Sequence, residues 1–559
     1  MAVREGSQPP RGSFQVNQRL LRGYGPLALL VVLLIVVATL VPSKPQKIVN
    51  AASSGNDDTG FVTGNGDTTD STTATGETVP GGATGVASGT KSASGKTIST
   101  PTSCPPERKD QVTGDPYSPP CIAFSGSNGG VTSKGVTDTS IKVSFRSLNE
   151  KGFQQTLAEL AGASLSDTPE TIKRTVTALA EYFSKRYQFY GRKLDIQFYN
   201  GVGSNTAELL GGGRDKAEAD AETVKSMGAF ADMSSTSEPY ADALARRGVM
   251  GFGDPYLSTP WHDRHAPYIW SLAVDGTTVA KLAAEYAVKR LSGPGGAPKP
   301  AAYAGGALKG QPRKIATMAP ENSWYQESVQ IAKGDIEKGG VKVAENIQYQ
   351  LDLGTMSNQA NNLVPKLKRD GVTTILCGCD PVFPVFLTGA MNRESYYPEI
   401  IVTGTALTDT DIVGQLFDQE AAKHIIGVSS LEQPVPPTQT IAYEAYKTVR
   451  PNDEPAFSVD LIYFQMQMMA IGIQMAGPNL TPANFQKGMF AYPGRLGPVG
   501  FWGLKPHDYT AADDVREIYW DGNATSTYNG KQGAYIDPQK GTRWLPGQIP
   551  AGDPAIPVR

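Results

Sequence analysis

Segments with strand character and segments with helix character alternate along the chain from about residue 136 to residue 404. Strand-like runs such as IKVSFR at Ile141–Arg146 are followed by runs with apolar residues at three- and four-residue spacing, the period of an amphipathic helix. The first of these helices is predicted after Asp167, its expected N-cap, and ends before Gly191. This alternation predicts parallel sheets that are covered by helices on both faces.

The alternation falls into two series of similar length, Ile141 to Gly253 and Thr277 to Gly404. Between Asp409 and Phe490 the pattern is mostly helical, and the apolar run from Val459 to Gly477 is predicted to be a buried helix. A last strand is predicted at Val515–Trp520. A chain of 559 residues is also too long for one compact core. The sequence therefore predicts an α/β protein with two doubly wound units.

The N-terminal region is predicted to cross a membrane once. Arginines as far as Arg22 precede the apolar run LALLVVLLIVVATLV at Leu27–Val41. At about 1.5 Å per residue, the segment from Tyr24 to Val41 nearly crosses a hydrocarbon core of ~30 Å. The basic residues place 1–22 in the cytoplasm, 23–43 in the membrane and the rest outside. A cleaved signal peptide is the alternative, and either interpretation exports the bulk of the chain.

The next segment, residues 44–103, is rich in Ser, Thr, Gly and Ala and has almost no large apolar side chain. It is predicted to be a disordered linker, and a flexible coil of ~60 residues spans roughly 40–45 Å. Residues 104–137 then open the folded region, with Cys104 and Cys121 around a proline-rich stretch. A disulfide between them would contribute on the order of 3 kcal/mol to stability; two free thiols are the alternative.

The composition excludes several classes of function. The chain carries 51 basic and 54 acidic residues, for a net charge of −3, so we expect no nucleic-acid partner. It has four histidines and no Gly-x-Ser-x-Gly motif, so the side chains of a hydrolase are not evident. We expect the protein not to be an enzyme and to need no cofactor.

Two histidines, His262 and His265, have a spacing that suits zinc on a helix. Pro260 and Pro267 flank them, however, and predict a loop. No third ligand is evident from spacing, so we predict no metal site.

Two further cysteines lie in the stretch ILCGCDPVFPVF, residues 375–386. Cys377 and Cys379 end a predicted strand, where residues i and i+2 lie about 6.5–7 Å apart, near the upper limit for a disulfide. Gly378 would allow the chain to bend. A disulfide, two free thiols and a metal site are all open, with metal the least favoured because no further ligands are near in sequence.

Three stretches carry a resemblance to a known family: TDTSIKVSFR (137–146), YFSKRYQFYGRKLDIQFYNG (182–201) and RKIATMAPENSWYQESVQ (313–330). With the order of elements over roughly residues 135–522, they resemble the type 1 extracellular substrate-binding proteins of ABC transporters, similar to leucine/isoleucine/valine-binding proteins. The resemblance implies the type 1 periplasmic-binding-protein fold, with two doubly wound α/β lobes joined by a hinge. In this chain, one transmembrane helix and a disordered linker would precede them.

The resemblance also implies a division of the chain between the lobes. The first lobe would comprise 138–272 and about 405–495, the second 273–404 and about 496–540, and 541–559 would be a polar tail.

The loop Ser234, Ser235 and Thr236 is the first candidate binding segment. It follows a strand and opens a helix, where free N–H groups and hydroxyls can hold a carboxylate. Capping that helix is the alternative role for these hydroxyls.

The resemblance implies further ligand-binding residues at the ends of other strands. They are Tyr256 and Ser258 in the first lobe and Tyr325 in the second. Asp380 and Thr405 are further candidates, because each follows the end of a predicted strand of the second lobe. Family members that bind amino acids usually hold the ammonium with an acidic residue at the position of Gly404–Ala406, whereas this chain has no carboxylate there before Asp409. This difference favours another small acid, an amide or a peptide.

These features together predict an extracytoplasmic solute-binding protein in the cell membrane. It would capture a small polar ligand (amino acid-like, amide or small acid) and deliver it to an ABC permease. An extracellular sensor acting through a partner and an envelope protein that reuses the fold are the alternatives.

Overall fold

The computed structural model describes residues 97–98, 109–148, 150, 167–253 and 257–558. The predicted anchor and nearly all of the predicted linker lie outside these residues, as do Cys104 and Tyr256. Within the described part of the chain, no helix has the length and apolar character needed to cross a membrane.

The α-helices described are α1 (Pro169–Arg186), α2 (Asn205–Leu209), α3 (Arg214–Met227), α4 (Glu238–Arg246), α5 (Thr259–His265), α6 (Gly276–Lys289), α7 (Ser323–Lys338), α8 (Met356–Arg369), α9 (Phe383–Arg393), α10 (Asp411–Gly414), α11 (Gln419–Ala422), α12 (Ile441–Val449), α13 (Val459–Ala476) and α14 (Pro482–Phe490). Short 3-10 helices lie at Phe189–Gly191, Pro294–Gly296, Gly306–Leu308 and Pro437–Gln439.

The strands are β1 (Thr97–Ile98), β2 (Gly126–Ser127), β3 (Ser140–Ser147), β4 (Lys193–Asn200), β5 (Ala231–Asp232), β6 (Met250–Phe252), β7 (Ile269–Trp270), β8 (Ile315–Pro320), β9 (Val343–Tyr349), β10 (Thr374–Cys377), β11 (Glu399–Val402), β12 (Ile425–Ser429), β13 (Arg495–Gly497), β14 (Gly500–Trp502), β15 (Val515–Thr525), β16 (Gln532–Ile536) and β17 (Arg543–Trp544).

The first sheet contains β3 to β7 in the order β4-β3-β5-β6-β7, with all neighbours parallel. Its first strand therefore lies between its second and third, the arrangement of a doubly wound sheet. Helices α1 and α13 share its main core, in which Phe183, Phe252 and Met466 are fully buried. We call this sheet and the helices packed on it the first lobe.

The second sheet has eight strands in the order β16-β15-β12-β11-β10-β8-β9, with β17 also paired to β15. Strands β8 to β12 are parallel and repeat the strand order of the first sheet, whereas β15 to β17 are antiparallel additions. Helix α6 contributes to the core on one face, and helices α8 and α9 to the core on the other. We call this unit the second lobe.

The predicted division of the chain needs three corrections. Strand β12 lies between β11 and β15 in the second sheet, so the boundary at about residue 405 is wrong. Trp502 of the β13–β14 hairpin is buried in the first-lobe core, so the boundary at about 496 is wrong too. The predicted polar tail contains β17 and buries Trp544 in the second lobe. Short strands and single buried side chains gave little periodic signal in the sequence.

Helix α1 begins as predicted, but its cap is different. Thr168 is the N-cap, and its hydroxyl accepts a hydrogen bond from Thr171 N. The Asp167 carboxylate instead accepts hydrogen bonds from Phe457 N at 2.5 Å and Ser458 N at 3.2 Å. Asp167 therefore joins the start of α1 to the chain just before α13, far away in sequence.

The segment before the first sheet is built into the core of the first lobe. Tyr117 is fully buried, stacks on Trp502 with ring centroids 4.1 Å apart and donates a hydrogen bond to Gly500 O at 2.6 Å. Cys121 takes part in a disulfide. Its predicted partner Cys104 lies outside the described residues, so this pairing stays a prediction.

Three segments connect the lobes: residues 271–275, 430–440 and 503–514. The first and third are held together, because Ser271 pairs with Thr510 in a parallel bridge and Ala511 N donates to Ser271 O at 2.9 Å. These paired connections form a hinge beside the start of α6.

Candidate functional site

The two lobes meet at the ends where their parallel strands finish. Ser258 follows β6 and lies at the carboxyl end of the first sheet, while α7 follows β8 and begins at the carboxyl end of the second. Trp324, in the first turn of α7, packs against Trp261 and its apolar neighbours in the first lobe. Ligands of open parallel sheets bind beyond these ends, so this boundary is the candidate site.

The three hydroxyl groups of the loop Ser234–Thr236 differ in their hydrogen bonds and in their exposure. Ser234 Oγ donates to Asp232 Oδ1 at 2.7 Å and accepts from Arg146 N at 2.8 Å. Ser235 is fully buried, and its hydroxyl has no hydrogen-bond partner among the described residues. Only Thr236 exposes its side chain.

Capping of α4 does not explain these hydroxyls. The N-cap of α4 is Ser237, which makes no capping hydrogen bond with its side chain. The first turn of α4 therefore keeps backbone N–H groups that no capping side chain satisfies.

A buried ionic network lies directly beneath this loop. Arg146 binds both carboxylate oxygens of Glu208, at 2.9 and 2.8 Å, and reaches Asp220 at 3.2 Å. Its guanidinium lies 3.7 Å from the centroid of the Tyr240 ring. Arg146 is the penultimate residue of β3, Glu208 lies in α2 and Asp220 in α3, so the network fixes three elements around the loop.

Glu327 of α7 connects the lobes. Ser258, which is fully buried, donates a hydrogen bond to Glu327 Oε2 while accepting one from Trp261 N at 3.2 Å as the N-cap of α5. Arg264 contacts the other Glu327 oxygen at 3.3 Å. The predicted residue Ser258 thus takes part in an interlobe contact, and Glu327 was not found from the sequence.

Tyr325 and Thr405 line one cavity in the second lobe. Tyr325 is half-buried in the first turn of α7, and Thr405 follows β11 with its hydroxyl 2.5 Å from that of Thr403. The structure therefore brings together two predicted residues that are distant in sequence.

Asp380 is held inside the second lobe. It is 5% exposed and accepts hydrogen bonds from Tyr349 Oη at 2.6 Å, Val382 N at 2.7 Å and Phe383 N at 3.2 Å. Burial raises the pKa of its carboxyl. Asp380 therefore positions the start of α9, and its oxygens are directed at this chain's own groups.

Asp409 brings a carboxylate to the end of β11, although it lies five positions after Gly404 in the sequence. A Cβ placed on Gly404 would lie 3.4 Å from Asp409 Oδ2, because the chain turns back after the strand. Oδ2 accepts from Ser429 Oγ at 2.5 Å, and Oδ1 has no hydrogen-bond partner in the described chain. Burial raises the pKa of this carboxyl to about 6.

Cys377 and Cys379 form a disulfide with Cα atoms 5.0 Å apart. Both are buried at the carboxyl end of β10, and Gly378 between them lines the same cavity as Tyr325. The disulfide therefore shapes one edge of the candidate site.

His262 and His265 lie on a helix, so the predicted loop was wrong: Pro260 starts α5 instead of breaking it. His265 stacks on Trp261 with centroids 3.7 Å apart and contacts Asp242 at 3.0 Å. Among the described residues, no group of three or more metal-ligating side chains is found.

The hinge holds buried carboxyl groups close together. Asp508 and Asp513 are 7% and 8% exposed, and Asp275 caps α6 beside them through Thr277 N at 2.8 Å. Burial first, and then repulsion from neighbouring carboxylates, raises the pKa of both Asp508 and Asp513 well above the usual range.

Because folding raises the pKa of Asp508 and Asp513, we expect the protein to lose stability as the pH rises. A carboxyl whose pKa is raised by folding stabilises the fold fully below the unfolded pKa of about 4, and that contribution is lost as the pH rises through the folded value. The melting temperature should therefore fall between about pH 5 and about pH 9. Asp513→Asn should flatten this fall, while Asp453→Asn, at an exposed position, should leave it unchanged. An equal fall in Asp513→Asn would contradict the assignment.

A sequence profile of the family described as Periplasmic binding protein matches residues 165–524, which is more than half of the 559-residue chain. The chain belongs to the periplasmic binding protein family. The resemblance stated from the sequence and the type 1 α/β fold that it implied are thereby confirmed.

Similar solved structures have low sequence identity. A solute binding protein of an ABC transporter from Rhodopseudomonas palustris BisB5, in complex with 3,4-dihydroxy benzoic acid, is 12% identical with a TM-score of 0.50 over 73% of this chain and 98% of that chain. One from Rhodopseudomonas palustris HaA2, in complex with p-hydroxybenzoic acid, is 13% identical with a TM-score of 0.50 over 73% and 97%. At this sequence identity, the two comparisons show a similar fold and nothing more. No curated protein matches the chain by sequence.

Proposed function

We propose that this chain is an extracytoplasmic solute-binding protein that holds a small polar ligand between its lobes and delivers it to an ABC-type importer. The supporting observation is the cavity lined by Tyr325 and Thr405 at the carboxyl end of the second sheet. The α7 turn that carries Tyr325 also contacts the first lobe through Trp324. A ligand that extends from this cavity across the lobe boundary would contact both lobes, and its binding would then favour lobe closure.

The ligand is proposed to be an amino acid-like molecule, an amide or a small acid. On the first-lobe side, the exposed Thr236 and the uncapped first turn of α4 suit a carboxylate. On the second-lobe side, Tyr325 and Thr405 bring hydroxyl groups to the wall of one cavity. The hydroxybenzoates bound by two neighbours of the same fold are acids of this size and head a list of compounds to test.

The proposed location is the cell membrane, with residues 23–43 as a single anchor and the folded chain outside. The arginines before the apolar run support this orientation. A disulfide such as Cys377–Cys379 also suits an oxidising compartment.

A thermal-shift screen of the full chain in mild detergent tests the proposal. The panel holds hydroxybenzoates, amino acids, amides, short peptides and sugars. A ligand at about 100 times its Kd should stabilise the fold by roughly 2.7 kcal/mol and raise the melting temperature by several degrees. Tyr325→Ala should abolish the shift, whereas Tyr325→Phe should keep the part that the ring contributes.

Tyr443→Ala is the matched control, because Tyr443 is also half-buried but lies on α12 of the first lobe. It should leave the ligand-induced shift intact. A folded protein that responds to no compound, or a shift that survives Tyr325→Ala, would count against ligand capture at this cleft.

A further inference from the structure

The hinge buries several carboxyl groups at the place where the first and third connections between the lobes run side by side. Asp275 ends the first connection and caps α6. Asp508 and Asp513 lie in the third connection, and we call these two residues the hinge pair. All of them are buried, although a carboxyl group is almost never fully buried unless it is paired. The hinge pair therefore needs either a cation or a proton to offset the cost of its burial.

Hydrogen bonds hold the two connections together beside these carboxyl groups. The Thr510 hydroxyl accepts a hydrogen bond from Asp275 N at 3.3 Å, and Thr510 N donates to Asp508 Oδ1 at 3.4 Å. Ser271 N of the first connection donates to Tyr509 O at 3.1 Å. The carboxyl groups thus belong to the segments whose backbone has to change when the lobes rotate.

Asp513 lies where the third connection passes from one lobe to the other. Its N–H donates to Phe501 O of β14 in the first lobe at 3.2 Å. The next residue, Asp514, accepts hydrogen bonds from Arg543 of β17 in the second lobe. The Asp513 carboxylate packs on backbone, because a Cβ placed on Gly503 would lie 3.0 Å from its Oδ2. A rotation of the lobes therefore changes the packing that buries Asp513.

The charged groups closest to the hinge pair favour a proton on it. Lys505, on the same segment, lowers the pKa of both carboxyl groups, but its side chain is exposed. Asp275 of the first connection acts in the opposite direction. Burial first, and then repulsion between the carboxylates, raises the pKa of Asp508 and of Asp513. The hinge pair therefore keeps a proton at a pH where an exposed carboxyl group has lost it.

The remaining charged groups around the hinge pair do not supply a cation to it. Asp514 forms an ion pair with Arg543 at 2.9 Å, so this arginine is already engaged. His262 of α5 faces Asp275, and burial lowers the pKa of its imidazole to about 4. Its ring is therefore neutral at neutral pH.

We propose that this hinge is a pH-sensitive switch, in which a proton on the hinge pair keeps the lobes closed as in the structure and its loss opens them. In the open hinge, water hydrates the carboxylates, and their pKa returns towards the ordinary value of about 4. The closed hinge then binds one proton more than the open one. The ratio of open to closed protein should rise by up to about ten-fold for each pH unit until the closed pair has lost its proton too. No ligand takes part in this switch.

Distances between spin labels on the full chain in mild detergent test the switch. Labels on Lys216→Cys and Ser357→Cys, at exposed positions in the first turns of α3 and α8, report the separation of the lobes. Labels on Lys185→Cys and Lys216→Cys both lie in the first lobe and give a reference distance. Between about pH 5 and about pH 9, the interlobe label pair should move to a longer distance, while the reference distance stays constant.

Variants of the hinge pair assign the movement to its proton. Asp508→Asn combined with Asp513→Asn imitates the protonated pair and should stay closed up to about pH 9. Asp115→Asn is the matched control, because burial also raises the pKa of Asp115 but this residue lies in the core of the first lobe, bonded to Tyr463 of α13. This variant should open as the parent does.

Lys505→Met gives a second test that does not depend on the folding of the double variant. Because the Lys505 ammonium lowers the pKa of the hinge pair, its removal should shift the opening to higher pH. An interlobe distance that does not respond to pH in the parent overturns the switch, as does equal opening in the double variant. Opening of Lys505→Met at the same or a lower pH than the parent also contradicts it. Ligand capture is tested separately by the thermal-shift screen.

Discussion

Replacing Arg146 with methionine should lower the free energy of unfolding of the first lobe by about 3–5 kcal/mol. The Arg146 and Glu208 side chains are 1% and 0% exposed, and Asp220 is 3% exposed. Methionine fills similar space but leaves two buried carboxylates without their cation. Urea denaturation followed by circular dichroism would measure the loss.

Arg214→Met is the matched control, because Arg214 forms ion pairs with Glu238 and Asp242 but is 50% exposed. Exposed pairs contribute about 0–1 kcal/mol, so this variant should unfold close to the parent. Adding Glu208→Gln and Asp220→Asn to Arg146→Met should recover part of the loss. Equal midpoints for Arg146→Met and the parent would show that the network does not stabilise the lobe.

Replacing Glu327 with alanine should open the cleft. Glu327 carries the polar contacts of α7 with Ser258 and Arg264, and a hydrogen bond to a charged group contributes about 1.5–3 kcal/mol. Because Glu327 is 35% exposed, we expect about 1.5 kcal/mol, equivalent to about a ten-fold shift of the closing equilibrium. Small-angle X-ray scattering of the ligand-free chain should show a larger radius of gyration.

Arg264→Ala separates the two contacts that Glu327 makes. Arg264 is 55% exposed, so its ion pair should contribute little and the scattering curve should hardly change. If Arg264→Ala opens the protein as far as Glu327→Ala, the exposed ion pair, and not the buried Ser258 hydroxyl, holds the lobes together. Identical scattering curves for Glu327→Ala and the parent would show that the Ser258–Glu327 contact does not hold the lobes together.

Much of the fold could be predicted because its elements have long periodic patterns. Strand β3 was predicted to within one residue at each end, and the buried helix predicted from Val459 to Gly477 is α13, Val459–Ala476. The elements that the sequence pattern did not predict are short. Strand β12 has five residues and follows two one-turn helices, so its apolar run did not stand out in a segment that reads as helical.

The candidate site was only partly predictable. Tyr325 and Thr405 line a common cavity, whereas the Asp380 carboxylate accepts hydrogen bonds from Tyr349 and from the start of α9. In sequence both situations look the same, a polar residue after a strand. Asp409 shows the opposite case, because four residues separate it from Gly404 and only the fold of the turn brings it back to the strand end.

The sequence by itself determined the alternation of strands and helices, hence two doubly wound units, since side-chain periodicity is a local property. It also placed candidate residues at strand ends. Only the tertiary structure decided that Tyr325 and Thr405 line one cavity and that Glu327 of α7 meets Ser258 of the other lobe. These features depend on contacts between residues far apart in the chain, and a linear pattern does not encode how two packed elements lie against each other.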